Sequence, residues 1–431
     1  MVSWTGRPLR RAGRLGVLST AVIAIVLSAA VACGDDEPDA LGDESLGVVR
    51  VAAGEHIPIR LVLALTASGS SGVASENTAR LAVADFGPIR GFDVDIGGAV
   101  DEFCDPQGGL EAAASVVAEG NVVGVVGTTC SAAAVTAAPV LTGAGLVMVS
   151  PSNTSPLLTS DLAGNPSVNQ NDGYYRTAGN DLHQGAALAR FLDGERGIGH
   201  VAVIHNGDAY TQSLAEALVG AFEASGGTIT ATMVVARDES DMVPALTEIA
   251  AGAPEALFLS VSGPVAATAV QQIGGVAGLE NVLLIGADGL LSDMFLGVPE
   301  SEGMFFSSPD VRFGDNANQS SGRSAADLLA TYEQSYGGPP EAAYWGHAYD
   351  ATMLLLEAIR AASRLDGDTL VIDRAGVREY LDGVAGYAGI IGSITCDRWG
   401  DCGTQSVVII EHLDADDIAT TRTNVVYEYR P

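Results

Sequence analysis

The sequence predicts an α/β protein of two doubly wound, Rossmann-like lobes joined by a hinge that the chain crosses several times. Three observations lead there. Strand-like and helix-like runs alternate along most of the 431 residues, the pattern of parallel sheets wrapped by helices. Small polar loops follow apolar strand-like runs, where open α/β sheets gather their ligands. Two late helical runs, 325–336 and 343–362, return to a surface that the second unit does not need.

The first unit reads as strand 59–65, helix 73–86, strand 93–96, helix 109–118, strand 122–126, helix 132–138 and strand 146–149. The second begins with a helix at 183–191 and a strand at 201–204. It continues through helix 211–224, strand 229–235, helix 242–250, strand 256–260, helix 265–276 and strand 282–285. The simplest topology crosses between lobes near 177–179, near 308–312 and near 392. That divides the chain into lobe 1 (48–179 and 312–392) and lobe 2 (180–311 and 393–431), each of ordinary domain size. No tandem repeat of solenoid length is present.

Arg7, Arg10, Arg11 and Arg14 precede an uncharged apolar run, 15–32, so residues 1–32 read as an export signal. Ala30-Val31-Ala32 fits small-residue cleavage and Cys33 follows. Ordinary secretion with a spare thiol is one reading. A lipoprotein acylated at Cys33 is the preferred one, because a lone terminal cysteine in an exported chain otherwise needs a partner. The segment resembles a lipobox with Ala30 where leucine is commoner. Residues 33–47, rich in Asp, Glu, Gly and Pro, read as a solvated tether. The expected location is the outer face of the cell membrane or the periplasm, lipid-anchored.

A formal charge of −32 makes nucleic acid an implausible partner. The chain has no lysine, which excludes Schiff-base chemistry, a lysine-dependent phosphate loop and a protein kinase. No Gly-x-Ser-x-Gly elbow, His-Glu-x-x-His helix or dinucleotide turn occurs, so neither an enzyme nor a cofactor is expected. With Cys33 acylated, the other four cysteines allow three pairings. Cys104 with Cys130 and Cys396 with Cys402 is the most local. Neither spacing suits a zinc knuckle, so no metal is expected.

Three stretches carry the candidate site: Cys104-Asp105-Pro106, Gly127-Thr128-Thr129-Cys130-Ser131 and Ser150-Pro151-Ser152-Asn153-Thr154. The last two follow apolar strand-like runs, and Ser131 opens an Ala-rich helical run whose amides can face an anion. Together with Leu65-Thr66-Ala67-Ser68-Gly69, Leu81-Ala82-Val83-Ala84-Asp85, the run from Val203 to Tyr210, Gly286-Ala287-Asp288-Gly289, Ala348-Tyr349-Asp350-Ala351 and Gly392-Ser393-Ile394-Thr395, they resemble a type I periplasmic binding protein of the leucine/isoleucine/valine-binding family. The likeness spans nearly the whole chain after its first forty or so residues.

That resemblance implies a receptor that closes two lobes on an amino acid, branched-chain or related, or on a similar small carboxylate, and delivers it to the permease subunits of an ABC importer. It implies a monomer. Ser131 and Thr154 would hold the carboxylate or amine, and Ser152 would add backbone contacts. Asp288 matches the acidic position that binds the ligand ammonium. Tyr210 matches a cleft tyrosine. Ser262 stands where a second aromatic often sits, which opens space beside the ligand and weakens strict branched-chain specificity. Tyr344 and Trp345 would wall the pocket from the first lobe. The Cys104–Cys130 pair resembles a disulfide seen in the family. The residues themselves leave plainer roles open: helix caps for Ser131 and Thr154, a solvated Asp-Gly turn for Asp288, and packing for the aromatics. Other functions also remain open: a sensory receptor, a receptor for amides or small organic acids, or an exported α/β hydrolase.

Overall fold

Four parallel strands form the body of the first sheet, in the order β1 (Ile57–Leu63), β2 (Gly124–Gly127), β3 (Val147–Ser150) and β4 (Tyr174–Arg176). On its other side β1 pairs with the short strand Val94–Asp95. The computed structural model describes residues 44–67 and 72–431. The export signal, Cys33, most of the tether, and Ser68 and Gly69 lie outside the described residues.

These strands are near-continuous apolar runs, as expected of a parallel sheet covered on both faces. Successive side chains alternate between two cores: Leu61, Leu63, Val126 and Val149 enter one, while Val62, Val125 and Met148 enter the other. The helices α1 (Gly72–Phe86), α2 (Pro106–Ala118) and α3 (Ser131–Gly143) connect the strands. Asp105 caps α2 by accepting from the Gly108 amide at 2.8 Å. Helices α2 and α3 approach so closely that a Cβ on Gly109 would lie 2.3 Å from the Ala133 carbonyl oxygen.

The second lobe interleaves α4 (Asp181–Arg190), β5 (His200–His205), α5 (Thr211–Ala224), β6 (Thr228–Val234), α6 (Val243–Ala251), β7 (Ala256–Ser260), α7 (Gly263–Ile273), β8 (Leu283–Gly286) and β9 (Phe305–Pro309). After β9 the chain returns to the first lobe for α8 (Ala325–Tyr336), α9 (Trp345–Ala361) and α10 (Arg374–Asp382), then closes the second sheet with β10 (Val407–Glu411) and β11 (Val425–Tyr429). The seven strands run in the order β11-β10-β9-β8-β7-β5-β6, parallel from β9 to β6 and antiparallel at β10 and β11. Every residue of α9 from Trp345 to Ile359 is buried, the signature of a helix enclosed on all sides. Among the described residues no helix is long and apolar enough to cross a membrane.

Two features differ from the sequence reading. A three-stranded sheet joins Val48–Val51 to the hairpin of Ser363–Asp366 and Thr369–Asp373; no strand is expected there from sequence. The third crossing lies later than Gly392. Gly392–Ile394 pairs with Tyr387–Gly389, and the chain then runs beside β4, where the Arg176 amide donates to Gly400 O (2.9 Å) and the Cys402 amide to Arg176 O (3.0 Å). Cys396 and Cys402 pack in the first lobe's core, and the second sheet resumes only at Val407. Residues 403–406 therefore make the return. Gln405 Oε1 accepts from the Asn180 amide at 3.2 Å, tying this crossing to the first one.

Candidate functional site

Both sheets have a topological switch point, between β1 and β2 in one and between β5 and β7 in the other. There, successive connections leave toward opposite faces and open a crevice at the strands' carboxyl ends. A cleft of about 660 Å³ lies where the two crevices meet. Ser131, Ser152 and Tyr344 line it from the first lobe, and Tyr210, Ser262 and Asp288 line it from the second.

Ser131 is the first residue of α3, but the N-cap position belongs to Cys130, which makes no side-chain cap bond. The Ser131 hydroxyl instead accepts from the Ser155 amide (3.3 Å). The amides of the first helical turn have no intrahelical acceptor and remain suited to an anion. Ser152 donates its hydroxyl to Thr129 O (2.9 Å), joining the two polar loops. Thr154 lies behind the cleft wall, buried beside Asp181, and does not line the main cavity. Trp345 likewise belongs to the first core, edge-on to Phe313 at 5.2 Å.

Asp288 opens a short turn directly after β8 and is almost fully buried. Its Oδ1 accepts from Tyr210 Oη (2.5 Å) and Gln184 Nε2 (2.9 Å), and its Oδ2 accepts from Tyr344 Oη (2.7 Å). Tyr344 comes from the opposite lobe, so this carboxylate already bridges the cleft. A carboxylate offers about four acceptor sites, which leaves one for a ligand. Burial and the charge of Asp288 hold the Tyr210 and Tyr344 hydroxyls well above the usual phenol range, so both stay donors.

Sequence reasoning missed four residues around this site. Gln184 orients Asp288 from α4 and also donates to Ser307 Oγ (2.8 Å). Asp181, fully buried, is pushed well above the ordinary carboxyl range by burial and by the charge of Asp288, which favours its neutral form. Asn180 caps α4 through the Leu182 amide (3.0 Å), so Asn180-Asp181 before an apolar run was a readable helix start. Glu102 is the fourth. Its carboxylate accepts from the amides of Cys104 (2.7 Å) and Cys130 (3.0 Å), clasping the loops that the Cys104–Cys130 disulfide joins. Cys396 and Cys402 form the second bridge. Among the described residues no group of three or more His, Cys, Asp and Glu is placed to hold a metal ion.

Glu102 gives the site a pH dependence. Burial pushes its carboxyl from 4.5 up to about 7, against backbone amides that favour the charged form. The folded protein therefore keeps this proton to near pH 7, whereas the unfolded chain releases it near its ordinary value. Stability from this group is full below about pH 4.5 and lost as pH rises through 7, by about 2–3 kcal/mol. Urea titrations at pH 5 and pH 8 should show wild type losing about that much more than Glu102→Gln. Equal losses would contradict it.

The signature of the periplasmic binding protein family matches residues 58–411. The Leu/Ile/Val-binding protein BraC3 of Rhizobium johnstonii is 27% identical over 308 residues, which cover 71% of this chain and 77% of BraC3. The leucine binding protein LivK of Thermotoga maritima shares the fold with a TM-score of 0.72 at 22% identity, covering 87% of this chain and 99% of LivK. The branched-chain amino acid transporter substrate binding protein LivJ of Streptococcus pneumoniae, solved in complex with isoleucine, gives a TM-score of 0.70 at 19% identity, covering 88% and 100%.

Proposed function

Because the chain belongs to the type I periplasmic binding protein family, which binds solutes and does not transform them, we propose that it is the extracytoplasmic receptor of an ABC importer and holds an α-amino acid in its cleft. The hydrolase alternative falls with that membership. One observation carries the reading: a buried carboxylate with one acceptor site to spare, Asp288, shares the cleft with the first turn of α3. An ammonium suits the former and a carboxylate the latter. The two ends of a zwitterion thus find partners on opposite lobes, so its capture favours the closed arrangement.

In this account Ser131 and Ser152 receive the carboxylate end and Asp288 the ammonium. Tyr210 and Tyr344 hold Asp288 in place, and Thr154 supports the wall from behind. Relatives named for leucine, isoleucine and valine support an amino-acid ligand. A thermal-shift screen tests the reading, because a ligand that binds only the folded state raises the melting temperature. At least one α-amino acid should do so; a full set without effect would refute it.

We also propose that Cys33 becomes an acylated N-terminus, on the strength of the basic and apolar leader that ends there. Intact-mass analysis should find a diacyl or triacyl mass on a chain starting at Cys33, and Cys33→Ser should release the protein or stall its processing. An unmodified terminus would overturn the anchor and leave the receptor reading standing.

A further inference from the structure

We infer that the solute carries a second hydrogen-bond-accepting group beyond its amino-acid head, a carboxylate or an amide, and that Arg237 receives it. This rests on the amino-acid reading above and narrows it to a side-chain class.

Arg237 is the one cation among the described residues that line the cleft. It belongs to the second lobe, just beyond β6, and its Nη1 donates to the Cys104 carbonyl of the first lobe at 2.6 Å. The guanidinium therefore lies across the cleft mouth. That bond uses one of five N–H donors. Arg237 forms no ion pair with any described residue, in a chain whose 53 acidic residues far outnumber its 21 basic ones.

Asp208 and Asp105, which line the cleft with it, are engaged elsewhere. Asp208 accepts from the Tyr210 and Thr211 amides, both at 3.0 Å, at the start of α5. Asp105 caps α2.

The segment carrying Arg237 is pinned rather than loose. Ser262 donates its hydroxyl to Arg237 O (2.9 Å). Asn206 donates to Val235 O (3.1 Å) and Ala236 O (3.0 Å) while accepting from the Ser262 amide (2.6 Å). Ser262 and Asn206 follow β7 and β5, the strands flanking the second switch point, so the sheet itself aims the arginine at the cleft. The larger aliphatic and aromatic side chains there, apart from the two tyrosines, are Phe103, Val261 and Pro264. Phe103 is itself 54% exposed. A branched aliphatic side chain has only these and the tyrosine rings to pack against, whereas a carboxylate or amide also meets a guanidinium fork of matching geometry.

Calorimetric titration of the mature protein with L-glutamate, L-glutamine and L-leucine tests this, in wild type and in Arg237→Gln. Glutamate or glutamine should bind wild type at least about tenfold tighter than leucine does. Arg237→Gln should weaken the tighter of the two by about tenfold or more and leave leucine within about threefold. Leucine binding wild type as tightly as both would overturn the inference. So would an equal loss for all three ligands, which would assign Arg237 to lobe closure alone. If no amino acid binds wild type in the wider screen, the amino-acid reading itself fails and takes this inference with it.

Discussion

Replacing Asp401 with alanine is expected to destabilise the protein by about 3–5 kcal/mol, because it strands a fully buried arginine. Arg176 has no solvent exposure. Its guanidinium pairs with Asp401 and donates to Asn153 O (3.1 Å), Ser155 O (2.7 Å) and Thr159 Oγ1 (2.7 Å). Asp401 also accepts from Asn180 Nδ2 (3.2 Å), and it sits inside the ring closed by Cys396–Cys402. One ion pair therefore joins the last strand of the first sheet, the polar loop behind Ser131, the first crossing and the second disulfide loop. Removing one member leaves the other charge uncompensated, which costs far more than the pair contributes as a unit. Urea unfolding with both disulfides intact measures it. A loss below about 1 kcal/mol would show that water or relaxation satisfies Arg176.

Asp288→Asn is expected to weaken amino-acid binding by about ten- to a hundredfold, from ~1.5–3 kcal/mol for a charge-assisted hydrogen bond. Tyr210, Gln184 and Tyr344 already donate to this carboxylate, so its position does not depend on the ligand. Asparagine fits the same space but removes the charge and replaces one acceptor with a donor. Tyr344→Phe is the companion variant: it deletes one inter-lobe hydrogen bond and keeps the charge, so its loss should be smaller. A larger loss in Tyr344→Phe would mean that lobe closure, rather than ammonium recognition, sets the affinity.

The parts of the molecule legible in sequence are those fixed by local pattern. The apolar runs near 122–126 and 146–149 become β2 and β3, and the polar loops after them reach the cleft because a parallel sheet delivers every such loop to one end. Ser131, Ser152, Tyr210, Ser262, Asp288 and Tyr344 meet there. What escaped was set by distant partners. Val48–Val51 pairs with residues more than three hundred positions later, beyond any local signal. Arg176, Asp181 and Glu102 carry no local signal of their roles, because folding supplies the burial and partners that define them. Asp350, part of the Ala348-Tyr349-Asp350-Ala351 motif, serves the scaffold: it accepts from the Ile390 (3.0 Å) and Ile391 (2.9 Å) amides and from Asn318 (2.9 Å). Thr154 is turned behind the wall by a bend in its loop, a matter of one or two residues that no periodicity encodes.

Recognition of both ends of an α-amino acid by the cleft can be read from a double comparison in one calorimeter. The amino acid that binds best is titrated against its deaminated 2-hydroxy-acid analogue, each with wild type and with Asp288→Asn, which isolates the pairwise term. Wild type should prefer the amino acid by at least about tenfold, and the preference should largely disappear in Asp288→Asn. Equal affinity of wild type for the two compounds, or a preference that survives in Asp288→Asn, would contradict it.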